Sequence, residues 1–199
     1  MKTWLILTLL LSTACLSFGQ LTTLRMPNQI VWVEEIAERD TGGEVSRSCT
    51  VNAIDGTDWR SESVNAQADI AISVCRGERV TSTLAPVPPA SAGPAKALQE
   101  LYDALTARAR FETVDIISGI GYSRYRETGP DGYTRLIWMD RAAAFPHRVS
   151  TTFADGSLRE QTFRIVTVDD STRRRLFDLG TLYPFFGHYL DEWHARVTK

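Results

Sequence analysis

The amino-acid sequence predicts a mainly β protein of the α+β class, in which about nine to eleven antiparallel strands form one strongly curved sheet. Two observations predict this fold class. Short β-branched and aromatic segments recur along the chain and are separated by glycine-containing turns. A central segment and a C-terminal segment space their apolar residues as amphipathic helices do. These two helices are expected to cover the concave face of the sheet.

The composition limits the class of protein and its partners. The chain has 199 residues, of which 43% are apolar and 23% are charged, and its formal net charge is -2 at pH 7. This length allows a real hydrophobic core, and the composition excludes a disordered or fibrous chain. A net charge near zero gives no electrostatic basis for binding nucleic acid, which is therefore not an expected partner.

Residues 1–19 have the features of a secretory signal peptide. A basic start at Lys2 precedes an apolar run and a small-x-small pattern that ends at Gly19. The run is too short for a membrane span, which needs about 20 apolar residues. We expect a single domain over 20–199 in a periplasmic or secreted protein that begins at Gln20. The alternative is a lipoprotein anchored through Cys15, which follows a small residue as in a lipobox.

The first half of the remaining chain predicts an antiparallel meander. Apolar residues alternate with small or polar ones, as Ile70, Ile72 and Val74 do. Asp55-Gly56 marks a hairpin because such residues accept the positive φ of a tight turn. The predicted strands are 28–39, 45–54, 59–64, 68–75 and 80–84.

A proline-rich segment, 86–94, separates this meander from the central helix. Proline interrupts both strand ladders and helix interiors, so this segment is predicted to be a linker or surface loop. Leu98, Leu101 and Leu105 then share one face of a helix predicted over 95–109.

The second half again consists of short strand segments separated by turns, and it ends in an aromatic helix. Its predicted strands are 111–118, 119–128, 133–139, 147–153 and 158–168, in one continuous meander. Asp155-Gly156 is a hairpin signal of the same chemistry as the earlier one. After an irregular segment, Pro184 opens a helix over 184–197. Its aromatic stripe is expected to lie in the concavity as a plug or lid. The alternative is that the helix docks outside the concavity and belongs to a partner interface.

Cys49 and Cys75 are the cysteines of the expected exported domain and form a possible disulfide. The alternative is two half-buried residues on separate strands. If one strand lay between theirs, the Cα atoms would be roughly 10 Å apart, beyond the reach of a disulfide. The sequence has no CxxC motif and no Cys/His zinc spacing, so it predicts neither a metal site nor a cofactor.

Two segments carry a family pattern. Segment 45–62 has the strand, turn and strand with which this pattern begins. Segment 133–149 has a hydrophobic strand ending at Asp140, a loop and an aromatic residue before Pro146, and Asp155-Gly156 follows. Together, over 28–179, these residues resemble the LolA/LolB-like superfamily of outer-membrane lipoprotein-sorting proteins. The resemblance implies an open half-barrel whose cavity holds acyl chains.

The resemblance also implies a function. It points to a non-enzymatic envelope protein, a carrier or sensor, that binds a lipid or a lipoprotein acyl chain. The sequence has no GxSxG, HExxH, Walker or GxGxxG motif, so an enzyme is not predicted. The alternative is an envelope protein-protein interaction module whose cavity is filled by its own helices.

Eight apolar and aromatic residues are candidate cavity-lining residues. The other interpretation is that they form the plain core of a β-rich protein. The candidates are Trp32, Trp59, Leu101, Leu105, Tyr122, Trp138, Phe186 and Trp193.

Overall fold

A ten-stranded antiparallel sheet with three α-helices forms the part of the chain that the computed structural model describes, residues 24–198. The predicted fold class, a mainly β protein with a curved antiparallel sheet and helices, is confirmed. The predicted signal peptide over 1–19, including Cys15, lies outside the described residues.

The strands and helices agree with the predicted segments to within a few residues. The first strands are β1 (Gln29–Arg39), β2 (Val45–Asp55), β3 (Asp58–Asn65), β4 (Ile70–Arg76) and β5 (Arg79–Ser82). The others are β6 (Arg110–Ile117), β7 (Ile120–Thr128), β8 (Thr134–Asp140), β9 (Phe145–Thr152) and β10 (Leu158–Ile165). The helices are α1 (Pro94–Ala107), α2 (Asp170–Arg175) and α3 (Gly187–Val197).

The strands form two meanders rather than the single continuous one that was predicted. Their order in the sheet is β5-β4-β3-β2-β1-β10-β9-β8-β7-β6. The first strand of the first meander pairs with the last strand of the second, and β5 and β6 become the two edges. The prediction failed here because the segment with α1 carries the chain from one edge to the other, so β5 and β6 are never neighbours.

The predicted hairpin turns are confirmed at both Asp-Gly pairs. Gly56 has a φ of +60° and Gly156 a φ of +89°, values that a residue with a Cβ adopts only with strain. Asp55 pairs with Asp58 across the first turn, and Leu158 pairs with Thr152 beside the second. Local turn chemistry therefore fixes the register of each half.

Helix α1 lies on the concave face of the sheet. It contacts β2, β3 and β7, although β3 and β7 would be about 29 Å apart in a flat sheet. The 14 residues of α1 span only about 21 Å. The sheet must therefore curve around the helix.

The start of α1 is fixed by a close approach of the backbone. Gly93 precedes the helix, and a Cβ at this position would overlap the indole of Trp59. The Trp59 Nε1–H donates to the Ala90 carbonyl at 2.8 Å. Glycine at position 93 thus allows the helix to begin directly over β3.

The core on the concave face joins α1 to both meanders. Leu98, Leu101, Tyr102 and Leu105 of α1 are buried there. Their strand partners are Trp32, Ile54, Trp59, Cys75, Tyr125, Ile137, Met139, Phe145 and Val149. Since this cluster runs across the sheet from β4 to β7, the helix holds the two meanders together.

Helix α3 packs on the opposite, convex face, which corrects the prediction that it covers the concavity. Leu190, Trp193 and Phe186 form one cluster with Val31, Val33 and four buried side chains of β2 and β3. Odd-numbered residues of β1 belong to this cluster and Trp32 to the concave one, as strand alternation requires. The prediction failed because both faces of β1 and β2 are apolar, so an aromatic stripe alone does not select a face.

The segment predicted to be irregular after β10 contains a helical turn instead. Asp169 caps α2, with its Oδ1 accepting the Thr172 backbone N–H at 2.9 Å. Aspartate is favoured directly before the first residue of a helix, because its carboxylate accepts a backbone N–H of the first turn. This turn brings Leu176, which is fully buried, onto the convex cluster.

Candidate functional site

A cavity of about 200 Å³ lies on the concave face between α1 and strands β1, β9 and β10. Its lining residues come from five elements, β1, α1, β8, β9 and β10, several of which are far apart in sequence. They are Trp32, Glu34, Pro94, Ala97, Leu98, Glu100, Leu101, Arg135, Val149, Arg159, Gln161 and Phe163. We call this space the α1 cavity.

The floor of the α1 cavity is apolar because of strand alternation and register. Trp32 of β1 and Phe163 of β10 both point to the concave face, and Val149 of β9 pairs with Gln161 beside them. Leu98 and Leu101 of α1 form the opposite wall. An apolar group that entered here would contact apolar side chains from both the sheet and the helix.

The mouth of the α1 cavity is polar and carries both signs of charge. Glu34 accepts hydrogen bonds from Gln161 Nε2 at 2.7 Å and from Asn52 Nδ2 at 3.4 Å. Arg159 and Arg135 also line the cavity. Because each arginine pairs with a carboxylate, Glu38 or Glu127, the mouth has no large excess of positive charge.

Glu34 lies in an environment that disfavours its charged form. Burial raises the pKa of Glu34 above its ordinary value of 4.5, and the Gln161 hydrogen bond, the Trp32 indole and the charge of Arg159 oppose this rise. The Trp32 Nε1–H is buried and has no hydrogen-bond partner of good geometry in the described chain.

Four of the eight candidate residues come together on the concave face. Trp32, Trp59, Leu101 and Leu105 all belong to its core cluster. Trp32 and Leu101 line the α1 cavity, whereas Trp59 of β3 and Leu105 of α1 are buried in the core cluster and do not line the cavity. For those two, the plain-core interpretation agrees with the packing.

The other four candidates lie on the convex side. Phe186 and Trp193 pack in the convex cluster under α3. Trp138 pairs with Arg148 and Arg124 on neighbouring strands, and its Nε1–H donates to Asp115 at 2.7 Å. Tyr122 stacks on His147 with 4.2 Å between ring centroids. The alternation of β7 and β8 turns these side chains away from α1.

The predicted lid role of the C-terminal helix is therefore wrong. Helix α3 lies across the sheet from the α1 cavity and contacts β2 and β3. The element that does occupy the concavity is α1.

The possible disulfide is also wrong, and the two thiols are free. Strand β3 lies between them, because Cys49 pairs with Val64 and Cys75 pairs with Trp59. Val64 and Trp59 are five positions apart on β3, so the two cysteines point to opposite faces of the sheet. Burial raises the pKa of Cys49 to about 12, which makes this thiol unreactive.

Sequence reasoning missed the polar residues of the cavity mouth, Glu34, Arg135, Arg159 and Gln161. One signal was available for Glu34, which follows Trp32 by two positions and therefore shares its face of the strand. The other three come from β8 and β10, whose position beside β1 depends on the topology of the two meanders. The described residues contain no group of three His, Cys, Asp or Glu side chains placed to hold a metal ion.

No protein-family model matches the chain, and no curated protein sequence matches it. Solved structures do match, and two of them have a TM-score of 0.48. One is a chain of the MucA/MucB complex of Pseudomonas aeruginosa, with 12% identity over 73% of this chain and 55% of that one. The other is an uncharacterised conserved protein from Thermus thermophilus, with 10% identity over 79% and 87% of the two chains.

A LolA-superfamily protein from Nitrosomonas europaea is also similar in structure. Its TM-score is 0.40, with 10% identity over 80% of this chain and 94% of that one. These likenesses concern the fold alone. The chain spans about half the length of the chain it matches in the MucA/MucB complex.

One property relevant to membranes comes from the structure itself. Within residues 24–198, no helix is long and apolar enough to cross a membrane.

Proposed function

We propose that this protein is a non-enzymatic envelope protein that binds the acyl chain of a lipid or lipoprotein in the α1 cavity. The observation that carries the proposal is the combination of an apolar floor, Trp32, Val149 and Phe163, with a polar mouth at Glu34 and Gln161. Such a site suits an amphiphile, whose tail enters the cavity while its polar head stays at the mouth.

The volume of the α1 cavity sets how a chain would enter. About 200 Å³ is less than the roughly 300–1,000 Å³ of typical ligand pockets. A full-length acyl chain therefore requires α1 to move outward from the sheet. Burial of the chain at about 25 cal/mol per Å² offsets the loss of helix contacts.

The connections of α1 are compatible with such a movement. The segment that leads to it, 83–93, contains three of the protein's eight prolines, and a fourth, Pro94, is the first residue of α1. Besides apolar packing, the helix is held by the Tyr102 hydroxyl, which donates to the Ala144 carbonyl at 2.6 Å. Arg108 at its C-terminal end pairs with Glu127 at 2.8 Å.

Titration with a fluorescent fatty acid tests the proposal. Leu101→Trp fills the α1 cavity and should weaken binding at least about tenfold, while circular dichroism shows that the variant remains folded. Leu84→Trp adds the same side chain at an exposed position and should bind like the wild type. Equal binding by both variants, or no binding by the wild type, would contradict the proposal.

The second candidate is an envelope protein-protein interaction module. It is favoured by the extent to which α1 already fills the concave face, with Leu98, Leu101, Tyr102 and Leu105 buried. A native mass spectrum of protein purified from its own envelope separates the candidates. A co-purified lipid supports the acyl-chain proposal, and an apo mass supports the interaction module.

The localisation and domain organisation belong to the same proposal. We propose that residues 1–19 direct export and that 20–199 form one domain. The intact mass of the exported protein should correspond to a chain that begins at Gln20. A diacylglyceryl-modified chain that begins at Cys15 would instead make it a lipoprotein.

A further inference from the structure

The sheet has one long edge that no described segment covers. The outermost strands are β5 and β6. β5 has only four residues, whereas β6 has eight. A long edge strand presents unpaired N–H and C=O groups, which pair readily with another extended chain.

The turn between β6 and β7 fixes the pattern of backbone hydrogen bonds along this edge. Ser118 and Gly119, with φ values of +51° and +80°, form a two-residue turn between Ile117 and Ile120. A hairpin with such a turn closes on a hydrogen-bonded pair, so the backbone groups of Ile117 point toward β7.

The residues whose backbone groups point outward follow from alternation. Hydrogen-bonded and non-hydrogen-bonded pairs alternate in an antiparallel ladder, so the N–H and C=O of Ile116 and Val114 face away from β7. The pairing register of β6 is regular from Thr113 to Ile117, and its one bulge lies nearer the start of the strand. The regular part of the edge can therefore accept an added strand.

Apolar side chains are exposed beside this edge. Ile116 is 70% exposed and Ile120 is 51% exposed. An added strand would cover part of this surface.

The start of β6 carries an excess of positive charge. A surface pocket of about 560 Å³ is lined there by Arg108, Arg110, Phe111, Glu112, Arg126 and Thr128. Arg108 pairs with Glu127, and Arg126 pairs with Glu112. The Arg110 guanidinium makes no ion pair or hydrogen bond within residues 24–198, so it is available to an acidic group.

We propose that the β6 edge binds an extended segment of a partner protein, which adds a strand to the sheet and places an acidic side chain at Arg110. The backbone groups of Val114 and Ile116 hold the strand, and Arg110 selects for negative charge. This surface is distinct from the α1 cavity, so the inference does not depend on the acyl-chain proposal.

A second copy of this chain suits the edge less well than an acidic segment does. Antiparallel pairing of two β6 strands about Asp115 would place Arg110 of one copy opposite the turn of the other. That turn, between Ile117 and Ile120, contains no acidic residue. The charge of Arg110 would remain unpaired in such a dimer.

The test is a fluorescence-anisotropy titration of the wild-type protein with a labelled synthetic peptide. The peptide alternates threonine with valine and carries two glutamates at one end. Two versions are made, one with the glutamates at the N-terminus and one with them at the C-terminus, because edges accept parallel and antiparallel strands. A peptide with two lysines at the same positions is the control. We expect the glutamate peptide to bind several-fold more tightly than the lysine peptide.

Two pairs of variants separate the backbone contribution from the charge contribution. Val114→Pro removes an outward N–H, which an edge strand tolerates, and should weaken binding at least about tenfold. Val114→Ala keeps the N–H and should bind like the wild type. Arg110→Gln should weaken binding about threefold, whereas Arg174→Gln, an exposed arginine on α2, should have no effect.

Circular dichroism of each variant confirms that it is folded before the titration is interpreted. The proposal is overturned if no glutamate peptide binds at millimolar concentration, or if Val114→Pro binds as well as Val114→Ala. It is also overturned if the wild type sediments as a dimer that Val114→Pro converts to a monomer, because a second copy then occupies the edge.

Discussion

Glu34 is a carboxylate placed against the apolar floor of the α1 cavity. Its two hydrogen bonds come from amide side chains, and burial still raises its pKa. The folded protein therefore binds a proton at Glu34 more readily than the unfolded chain does. The contribution of this carboxyl to stability is fully present below its ordinary pKa of 4.5 and is lost as the pH rises through the folded-state value.

Replacement of Glu34 by glutamine should stabilise the protein at neutral pH. Glutamine cannot ionise and still accepts a hydrogen bond from Gln161, so the gain over the wild type should shrink as the pH falls through the raised folded-state pKa of Glu34 and should change no further below 4.5. Urea unfolding over a pH series measures this difference. Glu78→Gln, which removes an exposed turn carboxylate, corrects for the change in net charge. A variant less stable than the wild type at every pH would contradict the prediction.

Gly156 tests the contribution of turn chemistry at a single residue. Its φ of +89° disfavours any side chain, and no atom lies within 4 Å of a Cβ built there. Gly156→Val should therefore lower the free energy of unfolding by about 1–2 kcal/mol through backbone strain alone. Gly156→Asn should cost less, because asparagine tolerates positive φ. Thermal unfolding of both variants measures the costs, and equal stability of wild type and valine variant would exclude a strained turn.

Among the elements, the segment between α2 and α3 is held by one buried ion pair. Arg60 and Glu62 on β3 are fully buried and pair with each other at 2.5 Å. Arg60 donates to the carbonyls of Leu176, Thr181 and Tyr183. Glu62 accepts the backbone N–H groups of residues 185 and 186 at 2.9 and 3.0 Å. The pair therefore supplies backbone partners to an irregular segment that has no sheet or helix of its own.

Glu62→Gln should destabilise the protein by about 3–5 kcal/mol, because it leaves the Arg60 charge buried without a counter-ion. Glu38→Gln breaks an ion pair whose side chains are nearly half exposed and should cost less than about 1 kcal/mol. Urea unfolding compares the two variants. Hydrogen exchange should show lost protection in residues 176–186 for Glu62→Gln only. Similar costs for the two variants would mean that burial does not set the strength of the pair.

The sequence predicts the strands and helices well, because their signals are local. Asp55-Gly56 and Asp155-Gly156 mark turns, and the spacing of Leu98, Leu101 and Leu105 marks α1. The face on which α3 packs has no local signal, since Val33 and Trp32 are both apolar and lie on opposite faces. The sequence also provides no indication that Arg60 and Glu62 are buried, because charged residues on alternate strand positions are typical of a solvent-exposed face.

At the scale of the whole molecule, helices cover opposite faces of the sheet. Helix α1 fills the concave side between both meanders, and α3 with α2 covers the convex side of the first meander. The convex side of the second meander has no helical covering in the described chain. It is instead rich in ion pairs such as Arg124–Glu112 and Arg148–Glu160.

Truncation after Tyr183 should lower stability without increasing the binding of a fluorescent fatty acid. It removes α3 and exposes Val33 and Val51 on the face opposite the α1 cavity. Because the truncated chain can fail to fold, Trp193→Ala provides a milder variant, with an expected loss of about 3–5 kcal/mol. Urea unfolding and probe titration are measured on both. Increased probe binding by a folded variant would mean that α3 controls access to the cavity.

The pairing of β1 with β10 has a consequence for the order of folding. Among the described strands, every other pairing joins neighbours in sequence, whereas this one joins the first strand to the last. Contacts of such long sequence separation carry the largest loop-closure entropy and form late. During synthesis, the first meander is complete while β1 still lacks its partner. Until the last strand arrives, Trp32 and Val33 lie on an open edge, and the nascent protein is most prone to aggregate at that stage.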